Sequence, residues 1–439
     1  LDIEVQRSEV LWQDGKIEVD RKEPRSSYDI CIIGGGFSGL WSAHHLLKLD
    51  SSLKIAVFEA REFGFGASGR NGGWASSEYP VYKESLIARI GAAKTEELFA
   101  ALDNSIDEIG AFASDEVGFV KAGSLYFARN EAQVSRLRER IDVTHSWLSA
   151  SEAKAKLNVE GVKGALFNSS CATVSPFNLV NCLVKDLTRR GVDLFEHSYA
   201  TEVEGGVLVN SALITAPVVI QATEAFGESG REFIPLYSLM VATEPLSDSV
   251  WKEIGNTARF TFAEASHMVN YAQRTSDDRI AIGGRGATYP FSSKLNVAKE
   301  RTEKVHATIR ALLTSWFPIL RGVQFTHAWG GAVAITRDWE PYLQWNRAKG
   351  FARLGGYAGD GVTMSYLAAK ILAHEILEKP NGLRNLHFVN RKIRRWEPEP
   401  IRYLGVNALV KLSAIADREE RITQRKSVLD RVTSPLILR

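Results

Sequence analysis

The sequence predicts an α/β fold in which a discontinuous Rossmann-like domain carries a second, α+β domain built on an antiparallel sheet. Three observations lead there. Residues 28–40, YDICIIGGGFSGL, set Gly34, Gly36 and Gly39 directly after an apolar run, and Glu59 closes the next apolar run twenty residues beyond Gly39. Residues 216–222, APVVIQA, and 350–355, far along the chain, read as buried strands of the kind a parallel sheet holds at its centre. Residues 236–243, 268–274 and 279–284 instead alternate, as antiparallel strands with one solvated face do.

In chain order, residues 1–27 are polar, end in RKEPRSS and read as an arm leading into the first strand. That strand, at residues 30–33, delivers the chain to a turn where glycine lets the backbone approach a pyrophosphate closely. A helix starting near Ser38, with Leu40, Ala43 and Leu47 at helical spacing, aims its N-terminal partial charge at that site. Glu59 would accept from ribose hydroxyls, and a carboxylate there disfavours a 2'-phosphate. Residues 63–74, FGFGASGRNGGW, hold five glycines in twelve positions. Such density is costly in chain entropy, so it marks close backbone approach to something.

From 80 to 157 helical spacing dominates, as at Leu98, Leu102, Ile106 and Ile109, interrupted by VGFVKAGSLYFARN, which reads as a hairpin. Residues 177–190 read as a helix, and 192–203 with 206–220 as short strands returning to the first domain. Residues 296–316 follow as a helix, and Val362, Leu367, Ile371 and Leu372 mark another, amphipathic one. The first domain therefore takes residues 28–105, 165–230 and 325–385, and the second 106–164 and 231–324. Residues 386–439 form a helical extension packed on the surface, and RKIRR at 391–395 reads as a solvated face.

Composition excludes several classes. The 439 residues are 45% apolar and 24% charged, with a formal charge of +2 and no long basic run, so there is no electrostatic case for an anionic membrane and nucleic acid is not expected as a partner. Cys31, Cys171 and Cys182 are too few and too scattered for a disulfide framework or a zinc site, which predicts a reducing, cytoplasmic setting and no metal. Residues 207–222 contain Asn210, Ser211 and Pro217 and are no membrane span, and the polar N-terminus, opening on Leu1, is no signal peptide. Nothing in the sequence sets the oligomeric state.

A second glycine-rich turn, LGGYAGDGVTMS at 354–365, carries Gly355, Gly356, Gly359 and Gly361 ahead of a helix. Two such turns imply a long, two-ended cofactor. The first would hold its phosphates, and the second would set a helix N-terminus against a head group that becomes anionic, as a flavin does at its pyrimidine end. The loop Gly66 to Gly73 would run beneath the ring, with Arg70 and Asn71 its long polar side chains. THAWGGAVAITRDWEPY, at 326–342, would face the ring with Trp329, Gly330 and Gly331, while His327 reads as a satisfied, half-buried histidine.

These motifs resemble the FAD-dependent amine and D-amino-acid oxidase family, which includes sarcosine, glycine and gamma-glutamylputrescine oxidases. The likeness runs from about residue 28 to 376 through IIGGGFSG, VFEAREFGFGASGRNGG, NYAQRTSDDRIAIGGR, WGGAVAITRDWEPY and GGYAGDGVTMS, and SGRNGG with WGGAVAIT looks most like the gamma-glutamylputrescine branch. It implies FAD, with Gly34, Gly36, Ser38, Gly39, Glu59, Ala60 and Arg61 at the ADP end and Val203 beside the adenine. Around the flavin it implies Ala67, Ser68, Arg70, Asn71, Gly72, Gly359, Gly361, Val362 and Thr363. Phe37, Gly66, Gly73, Gly330, Gly356 and Tyr357 fall inside the same motifs and are counted as cofactor-binding. The family's flavin-linking cysteine is replaced by Gly331 and its flavin-linking histidine by Arg70, so the FAD is expected to be non-covalent. Val333 stands where glycine oxidase has a carboxylate-binding arginine, which argues against a simple alpha-amino acid unless Arg274 or Arg285 substitutes; Ala281 stands where sarcosine oxidases have an oxygen-activating lysine, which leaves oxidase and dehydrogenase both open.

The implied reaction moves a hydride from the carbon beside a neutral amine nitrogen to the flavin. An apolar, aromatic pocket favours the neutral amine without a dedicated base. Tyr271 and Trp329 are the candidates for lining it, Arg70 for lying at the ring, and Arg274 and Arg285 for orienting a distal carboxylate through paired hydrogen bonds. The partners are then a small amine or amino-acid derivative and either oxygen or an electron carrier such as a quinone. An NAD-dependent dehydrogenase would leave the second turn unexplained, and a non-catalytic flavoprotein would keep the fold without turnover.

Overall fold

The computed structural model describes residues 10–13, 19, 22–228 and 230–429. Its organising element is the strand Ile30–Ile33, all four residues of which are buried. It pairs in parallel on one side with Ile55–Phe58 and on the other with Val218–Gln221. Asp193–Phe195 and Phe351–Gly355 extend the sheet in parallel, and Tyr342–Asn346 closes one edge antiparallel. A strand covered on both faces has no position for a polar side chain, which is why ICII reads as a continuous apolar run. Ile30 and Ile32 pack into the core under the helices, while Cys31 and Ile33 face a small antiparallel sheet of Ala200–Val203, Gly206–Val209 and Ala212–Thr215. Burial pushes the thiols of Cys31 and Cys171 up to about 12, and all three cysteines are free.

The helices Phe37–Leu49 and Gly361–Ile376 pack against each other over this sheet, with Ala92–Phe112 beyond them. The second helix is buried nearly all round rather than amphipathic, because it is sandwiched between sheet and helix. The two glycine turns stand at the N-termini of these neighbouring helices, so packing brings the two ends of the sequence motif together.

The second sheet has eight strands, in the order Phe325–Thr336, Phe233–Thr243, Ile280–Arg285, Asn270–Arg274, Thr261–Glu264, Ser124–Ala128, Gly164–Asn168 and His145–Ser149. It is antiparallel except where Thr261–Glu264 meets Ser124–Ala128. One face packs on the helix Glu303–Trp316 through Ile309, Leu313 and Trp316, and the other turns toward the first domain. Residues 117–130 are no hairpin: Val120 makes a lone bridge to Thr173, and Ser124–Ala128 is inserted between two strands distant in sequence. The boundaries at 105, 165 and 325 also move. The first falls inside the helix Ala92–Phe112, and the strands at 164–168 and 325–336 both belong to the second sheet. Local pattern cannot choose between sheets, because an alternating strand looks the same in either.

The C-terminal helix Ile401–Thr423 is tied down by a buried cluster: Glu420 accepts from Arg136 at 2.7 and 2.8 Å, and Asp417 accepts from the backbone N–H groups of His267 and Met268. Arg391 is no solvated residue either, since it donates to Pro341 O and Asp338. The arm at 1–27 lies largely outside the described residues, but Val10, Leu11 and Trp12 are buried in the main core rather than leading loosely into the first strand. Among the described residues, no helix is long and apolar enough to cross a membrane.

Candidate functional site

The first turn divides three tasks among its glycines. Gly34 sits at φ +111°, and a Cβ there would lie 2.5 Å from Ala222 O; one on Gly39 would lie 2.1 Å from Gly34 O, where helix and strand touch. Gly36, at φ −88°, has ordinary backbone, and its missing side chain leaves space bounded by Ser68 Oγ. Ser68 reaches from the glycine loop to accept from Phe37 N at 2.8 Å, while no side chain caps the helix from Gly36. Ser38 is buried behind them. The two Glu59 oxygens accept from Gly35 N at 2.7 Å and Arg61 N at 2.8 Å, and burial raises its carboxyl above the usual range despite those bonds. Each oxygen keeps a second lone pair for a ribose hydroxyl. Ala60 and Arg61 are exposed beside it, Arg61 lying over the Phe65 ring, and Val203 ends its strand half-buried, paired with Gly206.

The loop between the two turns is trussed by Asn71, whose amide donates to Ala67 O and Ser68 O and accepts from Gly73 N. Its glycines are required by what lies opposite. A Cβ on Gly72 would come within 2.4 Å of the Tyr271 ring, and one on Gly73 within 2.1 Å of Gln273 Nε2, which donates to Gly72 O at 2.7 Å. Gly66 is less constrained, a Cβ there lying 3.1 Å from the Phe226 ring. The glycine-rich loop therefore presses against the second sheet as well as the space in front of the first helix.

Strand register fixes the sheet face that meets this loop. Trp329, Met240, Gly283 and Tyr271 form one row across four strands, and Gly331, Ser238 and Arg285 form the next row on the same face. Trp329 Nε1 donates to Arg70 O at 2.9 Å, and the Tyr271 hydroxyl lies 2.7 Å from Ser238 Oγ. Arg70 is buried, donates to Glu300 at 2.7 Å and to Gly330 O, and lies over the Phe65 ring. Burial raises the Glu300 carboxyl even with Arg70 pulling it down. Gly330 meets Arg70 only through its carbonyl, and a Cβ on it would point the other way, into Glu300. Arg274 does not join the site. Three residues on from Tyr271, it lies on the opposite face of the sheet, paired with Asp278 at 2.6 Å and stacked over Trp251.

At the second turn, Gly356 sits at φ +74° and gives its N–H to Glu224 Oε2 at 2.9 Å. Burial pushes the Glu224 carboxyl up to about 7, against backbone N–H groups of Gly356, Ala334 and Tyr357 that pull it down. The Tyr357 hydroxyl is 2.9 Å from Ser38 Oγ, which joins the turn to the first helix. Arg285 donates to Ala358 O at 2.5 Å and lies over Trp339. Gly359 is exposed, and no side chain caps the helix that starts at Gly361, with Val362 and Thr363 buried in its first turn. Sequence reasoning did not single out Ser238, Gln273, Glu224, Glu300 or Trp12; the first two are placed by strand register and the other three by contacts between segments distant in sequence.

This architecture fits FAD. Ser68 takes Phe37 N at the start of the first helix, the neighbouring second helix starts with no side-chain cap, and Gly36 leaves room before the first; among the described residues, Thr363 Oγ1 and Arg70 Nε are buried without a hydrogen-bond partner. Both are donors that a ligand in this space would satisfy.

Comparison with known proteins gives the same answer. The chain is 26% identical over 367 residues to gamma-glutamylputrescine oxidoreductase of Escherichia coli (strain K12), covering 79% of this chain and 82% of that protein. It is 23% identical over 370 residues to glycine oxidase of Bacillus licheniformis, covering 81% and 95%. Among solved structures, L-proline dehydrogenase from P. horikoshii superposes with a TM-score of 0.67 at 19% identity, covering 82% of this chain and 96% of that one. Residues 29–375 match the model of the FAD-dependent oxidoreductase family called DAO, a span that takes in both glycine turns and the sheet between them, and the chain belongs to that family.

Proposed function

We propose that this oxidoreductase oxidises the carbon–nitrogen bond of an amine or amino-acid derivative that carries a carboxylate away from the reacting carbon, with dioxygen as acceptor. One observation carries the reading: a single sheet face presents Trp329, Tyr271, Ser238 and Arg285 in adjacent rows against the glycine loop. When bound, FAD would supply a two-electron acceptor for a hydride from the carbon beside nitrogen, and the imine so formed would be hydrolysed by water to a carbonyl compound and an amine. The residues do the rest. Trp329 and the Tyr271 ring wall the space and disfavour an ammonium ion, so the amine enters in its neutral, reactive form. Arg285 sets its charge beside the second turn, where a carboxylate on the substrate orients the reacting carbon. Arg70, held by Glu300, fixes the loop at the ring, and Gly34, Gly36, Gly39, Glu59 and Val203 hold the ADP half. Gly331 and Arg70 stand where the linking residues would be, which supports non-covalent binding.

A dehydrogenase that passes electrons to a quinone or carrier is the second reading. One observation favours it: Ala281, in the place of the oxygen-activating lysine, is fully buried. Anaerobic addition of a panel of amines, with and without distal carboxylates, tests the reaction by loss of the yellow flavin colour. Bleaching by carboxylated amines is expected, with a raised KM in Arg285→Ala for those substrates alone. Bleaching by none of the panel would defeat the proposal, and a bleached flavin that an added quinone re-oxidises but air does not would select the second reading.

A further inference from the structure

Trp12 lies outside the family match, which begins at residue 29, yet it reaches the centre of the site. Its indole N–H donates to Asn71 O at 2.9 Å. The neighbouring carbonyl, Arg70 O, takes the indole N–H of Trp329 at the same distance. The two rings meet edge to face, with centroids 6.2 Å apart and planes at 84°. Two tryptophans, one ahead of the first strand and one on the far sheet, thus clamp consecutive carbonyls of the loop. With Val10 and Leu11, Trp12 is buried in the same core as Trp329 and Met240.

A packing role alone needs the ring and not its N–H. The hydrogen bond goes to a loop whose Asn71 already spends its amide on Ala67 O, Ser68 O and Gly73 N. Main-chain placement of Asn71 therefore decides where Arg70 and Gly72 stand. Gly72 has no slack of its own, since the Tyr271 ring occupies the space a Cβ would take. The geometry points to Trp12 as a positioning residue of the flavin site: it clamps the glycine loop together with Trp329, so the segment ahead of the Rossmann-like unit is a working part of the cofactor pocket. This rests on FAD occupying the space between the two turns.

The test compares Trp12→Phe, which keeps the edge against Trp329 but cannot donate, with Trp12→Leu, which loses both. FAD affinity is read by titration of flavin fluorescence, and loop placement by the visible circular dichroism of the bound flavin, a signature that lost packing elsewhere would not move. The expected Kd rises about threefold in Trp12→Phe and about tenfold in Trp12→Leu, with altered flavin bands in both. Wild-type Kd and bands in Trp12→Leu would overturn the assignment. Should that variant fail to fold, wild-type values in Trp12→Phe overturn it equally. Failure of the wild-type chain to take up FAD would instead remove the cofactor placement on which it rests.

Discussion

The hydroxyls of Ser38 and Tyr357, 319 residues apart in sequence, are buried 2.9 Å from each other. One stands in the first turn of the first helix and the other in the second glycine turn, so this bond sets the distance between the two ends of the cofactor space. Burial holds the Tyr357 phenol well above its ordinary value, so it stays protonated and able to donate. Tyr357→Phe removes a bond of about 1 kcal/mol and leaves the Ser38 hydroxyl buried without this partner. FAD affinity should fall about fivefold, the equivalent of that energy, with the fold intact by circular dichroism. An unchanged dissociation constant would show that the two turns are spaced by packing alone.

Gly36→Val probes the diphosphate space without backbone strain, because φ −88° suits any residue. The nearest protein atom to the added Cβ is Ser68 Oγ at 2.9 Å, the end of a short, rotatable side chain. The protein should therefore fold and purify colourless, with flavin content near zero after dialysis. A yellow, fully loaded variant would move the phosphates away from Gly36.

How much of this was legible follows from range. Gly34, Gly36, Gly39 and Glu59 lie within one strand, turn, helix and strand, so their spacing and the apolar runs around them are read together from a short stretch of sequence. The second turn is equally local, and the resemblance ties the two together. The site face was not legible, because it depends on which strands are neighbours. Arg274 and Arg285 look alike in sequence, yet register puts one over Trp251 and the other against Ala358 O. Residue 12 could not be tied to residue 71 by any periodicity, and Glu224 became notable only once Gly356 was found donating to it.

Glu224 gives the site a pH dependence. Its folded pKa of about 7 exceeds the unfolded 4.5, with burial as the largest cause. A raised carboxyl contributes stability that is complete below the unfolded value and is lost as pH rises through the folded one. Stability should therefore decline between about pH 4.5 and 7 by at most about 3 kcal/mol from this group. In Glu224→Gln, which stays neutral, the decline should flatten, so that the variant gains on wild type at pH 8 and matches it near pH 4.5. Thermal unfolding of the flavin-free protein across that range is the measurement. Parallel curves for the two proteins would mean that Glu224 is ionised in the folded chain throughout.

Tyr271 stands between the glycine loop and the second sheet. Its ring fills the space that side chains on Gly72 and Gly283 would need, at 2.4 and 2.3 Å, while its hydroxyl, also against Gly283, is hydrogen-bonded to Ser238. Tyr271→Phe keeps the ring, so the loop stays in place and flavin content per chain should equal wild type. The lost hydroxyl frees Ser238 and removes a polar group from the wall beside Trp329, so kcat/KM for a reactive amine should change about fivefold, the scale of one hydrogen bond. Gly72→Ala makes the converse change: it drives a methyl into the ring and should lower flavin content before any kinetic effect is read. Unchanged steady-state constants in Tyr271→Phe would leave the ring as a buttress of the glycine loop and take its hydroxyl out of the substrate site.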